Sequence, residues 1–206
     1  MNPGRTERYI EDHTHIYWDP WRYGTLTAIG EILKEKGQHV ICAFPEQFRP
    51  LAEDANLEFA SLGSEYIDLL ESNLGKTAMG EGGSGLKKFT ANIKLASHQT
   101  EINKELARKQ YEIIEREEPD RVVYNSQATY PVIWGMEKKG EAILISALPY
   151  MHYVKGNTHI VFNSDFGPVL NKMTYSLADF GRAMTVDITK KWLNLPGKIS
   201  RKQIKR

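Results

Sequence analysis

Apolar residues recur at helical spacing from Leu26 through Ile29 to Ile32 and Leu33, with Lys34 and Lys36 in the last turn and Gly37 after it. This predicts an amphipathic helix with a marked stop. Val40-Ile41-Cys42-Ala43-Phe44 follows as an unbroken apolar run of strand length closed by Pro45, the pattern of a buried parallel strand. Phe48, Leu51, Ala52 and Ala55 predict a short helix, and residues 57–62 a further strand ending at Gly63. Residues 65–72 read as helix and 75–85 as a glycine-rich loop. A long helical pattern covers 86–118, carried by Phe89, Ile93, Ala96, Ile102, Leu106, Ile113 and Ile114, with a break allowed within it.

Pro119-Asp120 introduces a strand at 121–125, a short helix over 131–139 stops at Gly140, and 142–146 reads as another buried strand. Residues 166–193 are again helical, with Leu170, Met173, Leu177 and Phe180 on one stripe. Strands alternating with helices predict an α/β fold, a Rossmann-like parallel sheet flanked by helices on both faces. Ligands of such sheets sit beyond the carboxyl ends of the strands. Those ends are residues 45–47, 63–65, 125–127 and 149–152.

The chain has 206 residues, 41% hydrophobic and 26% charged, the make-up of one globular domain with a real core. Its 27 Lys and Arg nearly balance its 26 Asp and Glu, so no overall field points to nucleic acid. The one cysteine, Cys42, lies inside the first strand run and reads as a buried thiol. The N-terminus has no apolar signal region, and the longest apolar stretch, 142–149, is too short to span a bilayer. A cytoplasmic location is expected, with peripheral contact at the inner membrane face left open. Residues 190–206 hold seven basic side chains and no acidic one, which suits a solvated tail or contact with anionic lipid.

Several ordered segments resemble the N-terminal domain of glycosyltransferase family 28. The stretch from Gly24-Thr25-Leu26 to Gly37-Gln38-His39-Val40 is similar to that family's opening helix and its glycine-histidine-x-valine. Phe48-Arg49-Pro50-Leu51, Leu57-Glu58-Phe59 and Leu62-Gly63 follow in the family's order. Pro119-Asp120 before Val122-Val123-Tyr124-Asn125, then Ala147-Leu148-Pro149, then Asn171-Lys172-Met173-Thr174-Tyr175 leading to Trp192 and Leu195-Pro196, continue it. The resemblance covers 23–197. It leaves 1–22 as an atypical segment and 198–206 as a basic tail where the interdomain linker would begin.

The resemblance implies the acceptor-binding half of a GT-B enzyme, an inverting hexosyltransferase moving sugar from a nucleotide-sugar to a lipid, sterol or other apolar hydroxyl acceptor. Its second, donor-binding domain is not in this chain, so this half is expected to be inactive alone, since stabilising the leaving group dominates such chemistry. No cofactor is expected in this chain; a UDP- or dTDP-sugar is expected for the full enzyme. An alternative makes the chain a non-catalytic subunit docking on a separate nucleotide-binding chain. A bare interdomain face would favour a homodimer.

Inverting transferases place an Asp or His as general base near the loop after the first strand. The family's loop of glycine, two residues, glycine and aspartate would put that aspartate at position 22, where this chain has Arg22, which cannot act as a base. The catalytic residue is therefore unassigned. Read one base later, the codons of Trp18-Asp19 and Trp21-Arg22 yield the two glycines, and the next codon can be aspartate. The first strand and catalytic loop are thus expected to be encoded out of frame over 1–22.

The acceptor-side candidates are Gly82 and Gly83 in the glycine-rich loop, which borders the acceptor pocket in relatives, and the strand-end residues Asn125, Ser126, Gln127, Pro149, Tyr150 and His152. Ordinary loop polarity is the competing account of each. His152 is also a conceivable replacement base. His13, His15 and Asp19 lack the register that metal ligation needs, so no metal is expected. Gly75-Lys76-Thr77 resembles the end of a phosphate-binding loop, but Leu70 stands where the required earlier glycine would be.

Overall fold

A computed structural model describes residues 20–74, 85–125, 128–137, 139–145 and 166–197. Helix α1 runs Pro20–Glu35, starting ahead of its first apolar position because proline's fixed φ suits the first helical turn. It ends as its sequence predicts. Gly37 takes a φ of 81°, Gln38 N donates to Leu33 O at 3.1 Å and Gly37 N to Lys34 O at 2.8 Å, the paired bonds of a Schellman stop. Asn56 after α2 (Arg49–Asp54) and Asn194 after the last helix close their helices in the same way, each with a φ of 53°.

Strand β1, Ile41–Phe44, pairs in parallel with β2, Glu58–Ser61, with Cys42 opposite Phe59 and Phe44 opposite Ser61. A 3-10 turn at Glu46–Phe48 and α2 form the crossover. Helix α3, Glu65–Glu71, follows, and then α4, Gly85–Glu117, one unbroken helix of 33 residues where the sequence allowed a break. Strand β3, Arg121–Tyr124, pairs in parallel with β4, Glu141–Leu144, across the short helix α5, Tyr130–Met136. Helix α6, Pro168–Trp192, is the last element. The fold is therefore mixed α/β, and among the described residues its four strands form two separate parallel pairs.

Each pair has its own apolar cluster. Cys42, Phe44, Ala52 and Leu57 are buried beside Tyr23, Leu26, Val40 and Phe48 at the first pair; Ile114, Tyr130, Ile133, Trp134 and Val186 are buried beside Val122, Tyr124 and Ala142 at the second. Helix α4 packs against α3 through residues around Ile102–Lys109 and against α5 through Gln110–Glu115, and it also touches α6, so it joins the two halves. Five consecutive residues of α5, from Tyr130 to Trp134, are buried, and burial all round explains why so short a helix is stable.

The expectation of a buried strand at 142–146 is met only in part, and α6 shows which way its apolar stripe lies. Strand β4 packs one face on α5, where Gly135 lies so close that a Cβ there would sit 2.5 Å from that of Ala142, while Ile143 on the other face is 38% exposed. Helix α6 turns its apolar stripe outward. It buries Asn171, Thr174, Tyr175, Ala183, Val186, Thr189 and Lys190, while Leu170, Met173, Leu177 and Phe180 are exposed. The inward polar groups are accommodated because they find partners. Phe166 N donates to Asn171 Oδ1 at 2.9 Å, Thr174 Oγ1 to Asn171 O at 2.6 Å, and Lys190 Nζ lies 3.4 Å from Glu137 Oε1.

Candidate functional site

The carboxyl ends of β1 and β2 are tied to each other. Leu62 N donates to Phe44 O at 2.9 Å and Glu46 N to Gly63 O at 3.0 Å. Gly63 holds a φ of 87°, and a Cβ there would run into Glu65 and Lys109, so the turn requires glycine. Gln47 Nε2 donates to Ser64 O at 3.1 Å and to Asp68 Oδ1 at 2.8 Å. Arg49 donates to Glu46 at 2.5 Å and stacks 4.4 Å above the ring centre of Phe59. The Arg49 guanidinium, with Ser61 assisting, holds the Glu46 carboxyl below the usual carboxylate range, which suits an ion-pair partner and not a base near neutrality.

Behind this edge lies a concavity of about 190 Å³ between the end of β2, α3 and α4. Leu62, Tyr66, Ile102 and Leu106 form its apolar wall and Glu65, Glu101 and Glu105 its acidic rim. Glu65 pairs with Lys109 at 3.2 Å and Glu105 accepts from Arg108 at 2.8 Å. Ligand sites are commonly about 300–1,000 Å³, so this concavity alone is too small for a lipid or sterol.

At the second pair, Ile145 N donates to Tyr124 O at 2.8 Å and Ala128 N to Asn125 O at 3.1 Å. The loop after β3 is anchored from two helices. Gln110 Oε1 of α4 accepts from Thr129 N and Tyr130 N, each at 3.2 Å, capping α5 in place of the Thr129 side chain, which makes no cap bond of its own. Thr189 of α6 reaches the Thr129 hydroxyl. Burial pushes the Tyr124 phenol above its ordinary pKa, against the opposing charge and hydrogen bond of Arg182 on α6. This tyrosine–arginine contact at a strand end was missed by reading the sequence, because 58 positions of chain separate residues that only packing brings together.

Of the acceptor-side candidates, Asn125 is half-buried directly after β3. Gly82, Gly83, Ser126, Gln127, Pro149, Tyr150 and His152 lie outside the described residues, as do His13, His15, Asp19, Gly75-Lys76-Thr77, the tail from 198 and the side chain of Arg22. His39 sits before β1, at the opposite end from the carboxyl edge, 2.9 Å from Glu58 Oε1 and mostly exposed; His98 is exposed on α4. Cys42 is buried, and burial pushes its thiol up to about 11, the inert thiol expected. Among the described residues no group of three His, Cys, Asp or Glu side chains converges to hold a metal, and no helix is long and apolar enough to cross a membrane.

Compared with known proteins, the chain matches no family model, and no curated protein matches it significantly.

Proposed function

We propose that this chain is the acceptor-binding half of an inverting hexosyltransferase of GT-B architecture, which carries sugar from a nucleotide donor to a lipid, sterol or other apolar hydroxyl. One observation supports this reading above the rest: the motifs that carry the resemblance fall at the boundaries of parallel strand–helix–strand units. Gly37 is the left-handed stop of α1, Phe48-Arg49-Pro50-Leu51 opens α2, Leu57-Glu58-Phe59 enters β2, and Pro119-Asp120 enters β3.

The arrangement of strands adds a second support. In a doubly wound sheet the chain's first strand lies between the second and the fourth. The pairs β1-β2 and β3-β4 suit the second-and-third and fourth-and-fifth places of that order. In that order the central place belongs to the strand ahead of the first helix, the segment that the frame-slip reading takes to be encoded out of frame. The acceptor would lie over the carboxyl edges, beside Asn125 and the Tyr124–Arg182 contact.

Isothermal titration of the purified chain tests the reading. Binding of a sterol or a hydroxylated lipid, with no heat from UDP- or dTDP-sugars, is the expected result. Nucleotide-sugar binding by this chain alone, or turnover without a second polypeptide, overturns it. Sequencing the gene tests the missing strand: codons for Arg22-Tyr23 that cannot yield Asp or His one base later remove the frame-slip account.

A further inference from the structure

The hollow between β2, α3 and α4 has an apolar wall and an acidic mouth. Leu62 after β2, Tyr66 on α3, and Ile102 and Leu106 on α4 turn partly buried side chains into one space of about 190 Å³. Ile102 and Leu106 share a face because they are one helical turn apart. The hollow opens at the carboxyl end of β2, where parallel strand units take their ligands. A cavity of about 150 Å³ lined by Leu, Ile and Phe is enough to take up benzene, so a body of about six carbons fits here.

The charged side chains that line the mouth are all acidic. Two of the three are already matched. Glu65 accepts from Lys109 with both oxygens, at 3.2 and 3.4 Å, and Glu105 accepts from Arg108 at 2.8 Å. Glu101, exposed one turn ahead of Glu105, makes no ion pair among the described residues, and Lys104 three positions further along does not reach it. The mouth therefore holds one carboxylate that no protein cation answers.

We infer that this hollow binds a small primary amine, with its hydrocarbon body against Leu62, Ile102 and Leu106 and its ammonium at Glu101 beside Tyr66. An ammonium only donates hydrogen bonds, and ionised carboxylates only accept them, so the mouth selects it over an alcohol of the same size. A ring beside the cation adds to the attraction. A carboxylic acid would meet like charge. A sugar would leave hydroxyls facing Leu and Ile without partners, which costs free energy. The site rests on the hollow and not on the acceptor reading, so either can fail without the other.

The probe is hexylamine, with hexanol as its neutral match and hexanoate as its anionic one. Titrated into the isotope-labelled full chain, hexylamine should shift the amide resonances of Glu65, Glu101 and Leu106 and bind about tenfold tighter than hexanol, the worth of one partly screened charge pair. Hexanoate should not bind. Glu101→Gln changes an exposed side chain and should bring hexylamine down to the level of hexanol while leaving hexanol unchanged. Leu106→Trp fills the hollow and should abolish both; if that variant does not fold, Glu101→Gln decides alone. Hexanol binding as tightly as hexylamine, an amine preference that survives Glu101→Gln, shifts confined to other amides, or no binding of hexylamine overturns the inference.

Discussion

The hydroxyls of Thr129 and Thr189 lie 3.1 Å apart across 60 residues of sequence. Thr189 also lies 2.9 Å from the Thr185 carbonyl, which can only accept. A hydroxyl has one proton, so Thr189 donates to Thr185 and receives from Thr129. Thr189 is fully buried, and this bond fastens α6 to the loop that carries Asn125. Thr189→Val keeps the shape and leaves the Thr129 donor unmatched. About 1 kcal/mol of stability should be lost, read as a lower urea midpoint with unchanged slope.

Gln110 serves the same loop from α4. Its side-chain oxygen is the acceptor for two backbone donors at the start of α5. Gln110→Ala should cost about 1–3 kcal/mol, the range for buried donors left unsatisfied. Gln110→Glu, which keeps an acceptor, should cost less at neutral pH, and urea unfolding of the two variants side by side checks the order.

Glu115 links α4 to α5 and to the turn before β4. Its Oε1 accepts from Lys139 Nζ at 2.8 Å and Tyr130 Oη at 2.5 Å. These two bonds, Lys139 first, hold its pKa below the ordinary 4.5. A carboxyl depressed in the folded state contributes stability above its unfolded pKa and loses it as pH falls through the folded value. The Glu115 side chain is 34% exposed, so screening keeps the effect near about 1 kcal/mol. Glu115→Gln should therefore be less stable than the parent at neutral pH, and the gap should close in acid below 4.5, measured by urea unfolding across that range.

Gly140 sits under the Trp134 ring. A Cβ there would run into that ring and come 2.8 Å from Asp120 O, and Trp134 is only 3% exposed. Gly140→Ala should destabilise by about 1–3 kcal/mol through overpacking. Gly24→Ala, with nothing within 4 Å of the added carbon, is the control that should not. Thermal unfolding of the pair decides between them.

Cys42 offers a check on burial in the first cluster. With its thiol pushed up to about 11, little thiolate exists at neutral pH and the group is shielded from reagent. Labelling with a thiol reagent should be slow in the native chain and immediate in denaturant. Fast native labelling would contradict the placement of β1.

The order and type of elements were legible from local pattern. The helix ending at Gly37 and the strand at Ile41–Phe44 were marked by apolar period together with glycine and proline stops, and the last helix, read over 166–193 and found at Pro168–Trp192, by its apolar period alone. Hydrophobic period and turn residues act within a few positions of chain, so a reader of the sequence has all the terms. Of the candidate site, the ends of β1, β2 and β3 fall at 45, 62 and 125, within a residue of where the pattern predicts, while 149–152 lie outside the described residues.

What reading could not supply is which face an element turns inward and which distant groups meet. Val122 and Ile143 belong to equally apolar strands, yet one packs in the second cluster and the other is exposed, because α5 covers one face of the pair. The stripe of α6 has the pattern of an inward face, and it points outward because Asn171, Thr174 and Thr189 find partners inside. The Tyr124–Arg182 contact and the Gln110 cap likewise exist only once α4 and α6 are laid across β3. Amphipathic period names the two faces of an element; the choice between them depends on the sum of contacts and hydrogen bonds made by every neighbour, which no local window contains.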